Sequence, residues 1–175
     1  VDAPVTGLPQ AAAAGELTLL VGAAQADLEA ASPLLEVLAN RVLHFGPVGT
    51  GTAYKLAINL MGSVQIASAA EGLALAERAG LDLQAVVDAI ATSQAASPQV
   101  VRNTRRMVER EFGRDVVFTP VLRLKDVEYA LRLADTLGVA TPFGAAAREM
   151  FRRVIERGRG AEHEACVIDV ARGRM

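Results

Sequence analysis

The sequence predicts a mainly α-helical protein in which a long series of helices follows a short α/β segment. The first sign is a glycine-rich stretch, with Gly46, Gly49 and Gly51, that separates a strand-like run from an unbroken helical pattern. The second is the composition: hydrophobic residues make up 51% of the 175 residues, aromatic residues only 4%, and tryptophan is absent. The core is therefore expected to consist of Ala, Leu, Val and Ile, which suits closely packed helices.

Residues 1–48, before the helical pattern, are predicted to form strand, strand, helix and strand in that order. Residues 16–21 alternate as a strand does, residues 26–39 are helical with Pro33 restarting the helix, and residues 41–45 form a short strand. Three short strands and one helix do not make the βαβαβ unit of a complete dinucleotide-binding domain. We therefore expect this segment to be the C-terminal remnant of such a domain, in a chain that is the C-terminal part of a longer enzyme.

Residues 49–175 are predicted to form a helical domain. Its first helix is the longest, from Thr52 to Ala79, and Gly80 ends it. Capping residues and prolines then mark the starts of further helices. These start signals are Asp82, Pro98, Thr119-Pro120 and Thr141-Pro142, and they predict helices at residues 83–91, 98–110, 120–137, 142–157 and, last, 161–171.

Lys55 and Asn59 are the main candidates for chemistry. They are four residues apart in the first turns of the long helix, so they project from the same helix face. No charged residue occurs from Leu56 to Ala70, so Lys55 is a lone cation beside an apolar stretch. Desolvation there is expected to lower the pKa of its ammonium toward a range useful for acid–base catalysis. The alternative is an ordinary strand-to-helix loop with a chance lysine, and this segment alone does not decide between the two.

Two known glycine motifs do not fit the loop before Lys55. A phosphate-binding loop of the form G-x-x-x-x-G-K-[ST] would begin at Gly46, but Thr52 stands at its lysine position. A dinucleotide fingerprint G-x-G-x-x-G would use Gly49 and Gly51, but its third glycine would fall on Tyr54. The glycines are therefore interpreted as a hinge between a sheet and a helical region.

Four motifs occur in one order along the chain: Val1-Asp-Ala-Pro-Val-Thr6-Gly7, Ala14-Gly-Glu-Leu-Thr-Leu-Leu-Val-Gly22, the lysine helix and Arg123-Leu-Lys125-Asp126. In order and spacing this resembles the β-hydroxyacid dehydrogenase family, which includes 3-hydroxyisobutyrate dehydrogenase and tartronate semialdehyde reductase. The first motif reads D-A-P-V-S-G-G in that family, and here Leu8 replaces its second glycine. The lysine motif, G-x-G-x-x-x-K-x-x-N-N, has Ile58 at its first asparagine. The resemblance runs over residues 1–171 and implies an all-helical domain like that of 6-phosphogluconate dehydrogenase, preceded by the last strands of a truncated Rossmann α/β domain.

The resemblance also implies a function and a set of site residues. The function is that of an oxidoreductase that uses NAD or NADP, bound by the missing N-terminal part, to act on a small β-hydroxyacid or its semialdehyde. Lys55 is implied as the general acid/base, Asn59 as a hydrogen-bond partner of the substrate, and Thr6 with the Gly7 backbone as the carboxylate site. Lys125 is implied to approach the cofactor.

Alternatives remain open at this point. Lys125 could instead form a surface salt bridge with Asp126 or Glu128. A related reductase could act on a different substrate, although a 6-phosphogluconate enzyme would be expected to have histidine where Ile58 stands, and imine reductases typically lack the lysine. A third possibility is a non-catalytic helical dimerisation module that keeps the family scaffold, which the departures at Leu8 and Ile58 favour.

The remaining features restrict partners and location. The net charge of −2 and the pI near 5.7 argue against nucleic acid as a partner. A cluster of four arginines, interrupted by two glutamates and without aromatic residues between them, is interpreted as a solvated helix face rather than a nucleic-acid site. Its members are Arg102, Arg105, Arg106 and Arg110, with Glu109 and Glu111. The uncharged run at residues 56–70 is too short and too polar for a membrane span, which needs about 20 apolar residues. Because this run is apolar or small nearly all round, we expect a homodimer through the long helix, with Ile66 in the buried region.

Cysteine and histidine are rare. Cys166 is the single cysteine, which is compatible with a reducing cytoplasm, and it lies in an apolar run that predicts a buried filler. His44 and His163 are too few and too far apart to predict a metal site. We therefore expect a cytoplasmic protein without a metal.

Overall fold

The computed structural model describes residues 1–173 and forms two compact units, Val1–Asn59 and Leu60–Met175. Arg174 and Met175, the last two residues of the predicted helical domain, lie outside the described residues. The boundary between the units falls inside the long helix, whereas the sequence places the domain boundary between residues 48 and 49. That domain boundary stays a prediction.

The first unit is a small α/β structure. Its elements are β1 (Val5–Thr6), α1 (Pro9–Ala13), β2 (Thr18–Val21), α2 (Gln25–Leu38) and β3 (Arg41–His44). The sheet order is β1-β2-β3, with β1 antiparallel to β2 and β2 parallel to β3. Helix α2 supplies the crossover that a parallel pair needs. The three strands and α2 confirm the sequence prediction, whereas α1 was not predicted; Pro9 at its first turn and the alanines that follow were its signal.

The second unit is helical. The long helix α3 (Thr50–Arg78) enters it from the first unit, and Gly80 follows the end of α3 with a φ of +80°. The other helices are α4 (Leu83–Thr92), α5 (Pro98–Glu109), α6 (Pro120–Thr136) and α7 (Pro142–Glu156). Fully buried side chains such as Ile66, Leu73, Phe151 and Ile168 form one core. A mainly α-helical chain with a small sheet before it confirms the predicted fold class.

The last predicted helix, residues 161–171, is wrong in its first half. The structure has a 3-10 helix at Glu164–Val167 and a short helix, α8, at Ile168–Ala171. The backbone N–H of His163 donates to the carbonyl of Phe112, and that of Glu164 donates to the carbonyl of Phe118. These bonds to the loop before α6 replace the bonds to residues four earlier that an α-helix would need.

The arginines of α5 are only partly a solvated face. Arg106 Nη1 donates to the carbonyl oxygens of Glu111 at 3.0 Å and Arg114 at 2.9 Å. Arg102 Nη2 donates to Gln99 Oε1 at 2.7 Å. Arg106 is half-buried and fastens α5 to the loop after it, so the interpretation of a purely solvated face is wrong for this residue.

Within residues 1–173, no helix combines the length and the apolar character that crossing a bilayer requires. In the same part of the chain, no three or more His, Cys, Asp or Glu side chains are grouped so that they could hold a metal ion. Cys166 is fully buried, and burial raises the pKa of its thiol to about 12, so it is not a nucleophile.

Candidate functional site

The start of α3 carries the two residues on which the predicted chemistry depends. Lys55 and Asn59 are both half-buried and lie one above the other on this helix, as the spacing predicts. The helix leaves the loop at Gly46 and Gly49, whose φ angles of +122° and +98° are in the range that favours glycine. Both residues belong to the first unit, together with the strands that precede them.

A carboxylate from the beginning of the chain caps this helix. Asp2 Oδ1 accepts a hydrogen bond from the backbone N–H of Gly49 at 2.6 Å. Asp2 Oδ2 accepts two more, from the backbone N–H and from Oγ1 of Thr52, both at 2.7 Å. Burial opposes ionisation of Asp2, but these hydrogen bonds outweigh it and hold the pKa of the carboxyl below its ordinary value. A negative charge at a helix N-terminus is also favoured by the helix dipole.

Two glycines let the end of β2 approach the first turn of α3 at backbone distance. A Cβ placed on Gly51 would collide with the carbonyl oxygen of Leu20 and lie 2.8 Å from the backbone nitrogen of Gly22. A Cβ on Gly22 would lie 2.8 Å from the carbonyl oxygen of Pro47. Gly22 and Gly51 are therefore required by packing, which explains why the loop carries glycine without forming a dinucleotide fingerprint.

An aromatic stack and a histidine complete the junction of β3 with α3. The rings of Phe45 and Tyr54 stack with centroids 4.0 Å apart and an interplanar angle of 18°. His44 Nε2 lies 2.9 Å from the carbonyl oxygens of both Ala23 and Gly46, so its role is to hold the loop. Tyr54 precedes Lys55, so the stack fixes the turn that carries the lysine.

The predicted carboxylate site lies on the edge strand of the sheet. Thr6 is half-buried and pairs with Thr18, and Gly7 is exposed with a φ of +135°. A side chain at Gly7 would meet Leu17 Cδ2 at 2.7 Å, so the glycine keeps the backbone here open. Leu8 follows as the residue before α1, and its side chain makes no capping hydrogen bond.

Lys125 belongs to the second unit, on α6, whereas the other four predicted site residues belong to the first unit. Its side chain is 49% exposed, its Nζ is 3.1 Å from Asp126 Oδ1, and it stands 5.9 Å from the centre of the Tyr129 ring. The salt bridge that the sequence left open as an alternative is therefore present. Its cofactor role stays a prediction, because a half-exposed ammonium still has donors facing solvent.

A buried ion pair fixes the start of α6, two residues before Lys125. Arg123 Nε donates to Glu164 Oε2 at 2.7 Å, and the two residues are 3% and 0% exposed. The Arg123 guanidinium also lies 4.5 Å above the ring of Phe118. Sequence reasoning missed both this pair and Asp2. The signal for Asp2 was its place at the head of the first motif, and the signal for Glu164 was its position directly before the apolar run at residues 165–168.

Comparison with known proteins identifies the family. Residues 49–171 match the family described as NAD-binding of NADP-dependent 3-hydroxyisobutyrate dehydrogenase. Residues 1–46 match the NAD binding domain of 6-phosphogluconate dehydrogenase. The two matches follow one another along the chain, as the small sheet and the helical unit do.

Individual relatives agree with these matches. The chain is 33% identical over 171 residues to 2-(hydroxymethyl)glutarate dehydrogenase of Eubacterium barkeri, covering 97% of this chain and 56% of the relative. It is 30% identical over 173 residues to L-threonate dehydrogenase of Escherichia coli strain K12, covering 98% and 57%. The crystal structure of 3-hydroxyisobutyrate dehydrogenase from Mycobacterium tuberculosis, solved with L-serine, is similar with a TM-score of 0.87 at 29% identity, covering 98% of this chain and 60% of that one.

The fold, the order of the motifs and these similarities together place the chain in one family of dehydrogenases. It belongs to the β-hydroxyacid dehydrogenase family that includes 3-hydroxyisobutyrate dehydrogenase. The chain spans about half the length of the curated relatives it matches.

Proposed function

We propose that this chain is the C-terminal part of an NAD(P)-dependent oxidoreductase that interconverts a β-hydroxyacid and its semialdehyde. The observation that carries the proposal is the start of α3, where Lys55 and Asn59 share a helix face and Asp2 joins that helix to the strand with Thr6 and Gly7. Membership of the family supports a redox reaction over a purely structural role.

The names of the relatives support the substrate class. 2-(Hydroxymethyl)glutarate and L-threonate each carry a carboxylate and a hydroxyl on the carbon β to it. The L-serine present with the structural relative has the same two groups at the same separation. The shared groups are a carboxylate and a β-hydroxyl, and we propose that this chain acts on a substrate of that class, with the carboxylate bound and the β-hydroxyl oxidised.

When bound, NAD or NADP would supply the hydride-transfer chemistry at the hydroxyl-bearing carbon of the substrate. The residues present include no glycine-rich βα turn for its pyrophosphate, so the chain supplies at most one wall of that site. Lys125 fits this wall because its half-exposed ammonium suits an anionic or hydroxylated group.

The side chains of the first unit divide the remaining work. Lys55 takes the proton from the hydroxyl oxygen during oxidation and returns it during reduction, an effect worth roughly 10²–10⁴-fold. Asn59 donates a hydrogen bond that holds the same part of the substrate against Lys55. The hydroxyl of Thr6 and the backbone N–H of Gly7 donate to the substrate carboxylate.

The decisive experiment replaces Lys55 in the longer polypeptide that this proposal requires. Lys55→Ala is expected to lower kcat by at least about 10² and to leave the Kd of the cofactor unchanged. Lys55→Arg is expected to restore little, because guanidinium does not lose its proton at working pH. Arg148→Ala, which removes an exposed cation of α7, is the matched control and should keep full activity. A Lys55→Ala enzyme with the parental kcat would remove the lysine from the mechanism.

A second experiment tests the division of the cofactor site. Titration calorimetry of these 175 residues alone should detect no tight binding of NADH or NADPH, because the pyrophosphate loop is absent. Micromolar binding to the chain alone would contradict the proposal that the cofactor is held mainly by another part of the enzyme.

We also propose that the enzyme is a homodimer through the exposed part of α3. A groove of about 390 Å³ in the second unit is lined mainly by apolar residues of α3 and of the start of α7. Met61 is 61% exposed and Phe143 is 75% exposed in it. Ile66 has the buried position that the sequence predicts, but it is 0% exposed within the core of its own chain. We therefore place the exposed Met61, and not Ile66, in the interface. An obligate interface would bury roughly 2,000 Å² or more in total.

A further inference from the structure

Asp2 is fastened at both its backbone and its side chain. Its backbone N–H donates to the carbonyl of Gly22, and the N–H of Gly22 donates back to the carbonyl of Asp2, both at 2.9 Å. The next contact along the strand, from the N–H of Leu20 to the carbonyl of Pro4, measures 2.8 Å. The segment that leads to Thr6 is therefore held on β2 from its first residues.

The side chain of Asp2 extends the same attachment to α3. Its two carboxylate oxygens accept three hydrogen bonds from Gly49 and Thr52, which flank the first turn of the helix. Thr52 is three residues before Lys55, so the two side chains are neighbours on the helix surface. The lowered pKa of Asp2 keeps all acceptor positions deprotonated at neutral pH.

We propose that Asp2 is a positioning residue for the reaction: its carboxylate sets the place of the Lys55 turn relative to the strand that carries Thr6 and Gly7. This inference rests on the proposed function. Both the proton-transferring group and the carboxylate-binding group must be placed on one substrate, and a displacement of about 1 Å can lower a rate by as much as 10². Asp2 belongs to the same motif as Thr6 and Gly7, and its side chain accepts hydrogen bonds from Gly49 and Thr52 at the start of α3, the helix that carries Lys55.

The chemistry of a substitution follows from the three bonds. Asp2→Asn is close in shape but replaces one acceptor oxygen by a donor, which faces either the Gly49 or the Thr52 N–H. Asp2→Ala removes all three bonds. Thr52→Val removes only the bond from Oγ1 and keeps the one from the backbone N–H. The expected loss of kcat is therefore smallest in Thr52→Val, larger in Asp2→Asn and largest in Asp2→Ala.

The experiment measures kcat, KM and cofactor Kd for these variants in the longer enzyme, well below each melting temperature. We expect kcat to fall about tenfold in Asp2→Asn and further in Asp2→Ala, with cofactor Kd changed less than twofold. Asp27→Ala removes an exposed aspartate from the first turn of α2 and is the control that should keep parental kinetics. Hydrogen exchange at the Gly49 and Thr52 amides should accelerate in the Asp2 variants.

A double substitution separates positioning from plain stability. If Asp2 acts through Lys55, Asp2→Asn should lower the residual rate of the Lys55→Ala enzyme much less than it lowers the parental rate. If Asp2→Asn lowers kcat by the same factor in the parental and in the Lys55→Ala enzyme, the inference is overturned. It is also overturned if Asp2→Asn and Thr52→Val both keep the parental kcat while Lys55→Ala is inactive. A Lys55→Ala enzyme of full activity would instead mark failure of the proposed function itself. Thr52→Val keeps the test decisive if Asp2→Ala does not fold.

Discussion

Glu164→Gln tests the buried ion pair at the start of α6. Glu164 is 0% exposed and Arg123 is 3% exposed, with 2.7 Å between Oε2 and Nε. Neutralising the glutamate leaves the Arg123 guanidinium buried without a counter-charge. It also removes the ion pair between Glu164 Oε1 and Arg102 Nη2 at 3.7 Å. Breaking such a pair from one side costs about 3–5 kcal/mol. For a chain of this size that corresponds to a fall in Tm of roughly 6–20 °C.

Chemical denaturation of the parent and of three variants measures this loss in the free energy of unfolding. Glu162→Gln makes the same change two residues away, in a pair with Arg159 whose side chains are 33% and 23% exposed, and should cost at most about 1 kcal/mol. Adding Arg123→Met to Glu164→Gln should recover part of the loss, because no buried charge then remains. A Glu164→Gln loss no larger than that of Glu162→Gln would refute the reasoning, since it would mean that Arg123 finds water or another partner.

Three further outcomes are expected. Burial, together with the charges of two arginines of α5, lowers the pKa of His163 from 6.5 to about 4. Between these two pH values the imidazole is protonated in the unfolded chain but not in the folded one. The free energy of unfolding should therefore fall by up to about 3 kcal/mol from pH 6.5 to pH 4. His163→Asn keeps a capping acceptor and should lose that part of the acid sensitivity in urea titrations at the two pH values. Gly51→Ala should destabilise the fold by about 1–3 kcal/mol, because the new Cβ meets the backbone of β2. Gly72→Ala on the same helix meets open space and should stabilise the fold by about 0.5–1 kcal/mol. A similar change in stability for both variants would contradict the close approach of α3 to β2. Met61→Asp should give a monomer by light scattering, while Val37→Asp, at a position of α2 that is 83% exposed against 61% for Met61, should leave the assembly intact. A parental chain that is already monomeric at micromolar concentration would contradict the dimer proposal.

Local signals in the sequence placed most helix starts correctly. The helices begin at Pro98, Pro120 and Pro142, each of which follows a Ser or Thr. The side chain of Thr119 accepts from the N–H of Leu122, as a cap should, but Thr141 makes no capping bond. A proline at the first helical turn is sufficient to start these helices, because its φ is already helical and its missing N–H has no partner to lose.

Non-local contacts were the part that sequence reasoning could not reach. The apolar residues of α3 surround the helix, so no face is marked as the inner one. The sequence predicted that Ile66 is buried but not whether its own chain or a partner buries it, and the structure places it in the core of its own chain. Residues 161–171 are a second example: their composition is helical, but hydrogen bonds to the carbonyls of Phe112 and Phe118 determine their backbone conformation. In both cases tertiary contacts, and not the local sequence pattern, determine the structure.

The candidate site shows why separate weak motifs can be specific together. Asp2 from the first motif bonds to Gly49 and Thr52 of the lysine motif, which lie 47 and 50 residues away along the chain. Gly22, which ends the second motif, and Gly51 lack side chains where the strand and the helix meet. A capping rule searches three residues along the chain and cannot find this partner. The first three motifs therefore each supply one side of a single contact between the segment at Asp2, the end of β2 and the start of α3. The fold at the Lys55 turn follows from that contact, whereas the identity of the hydroxyacid depends on side chains such as Ile58 that the contact does not involve.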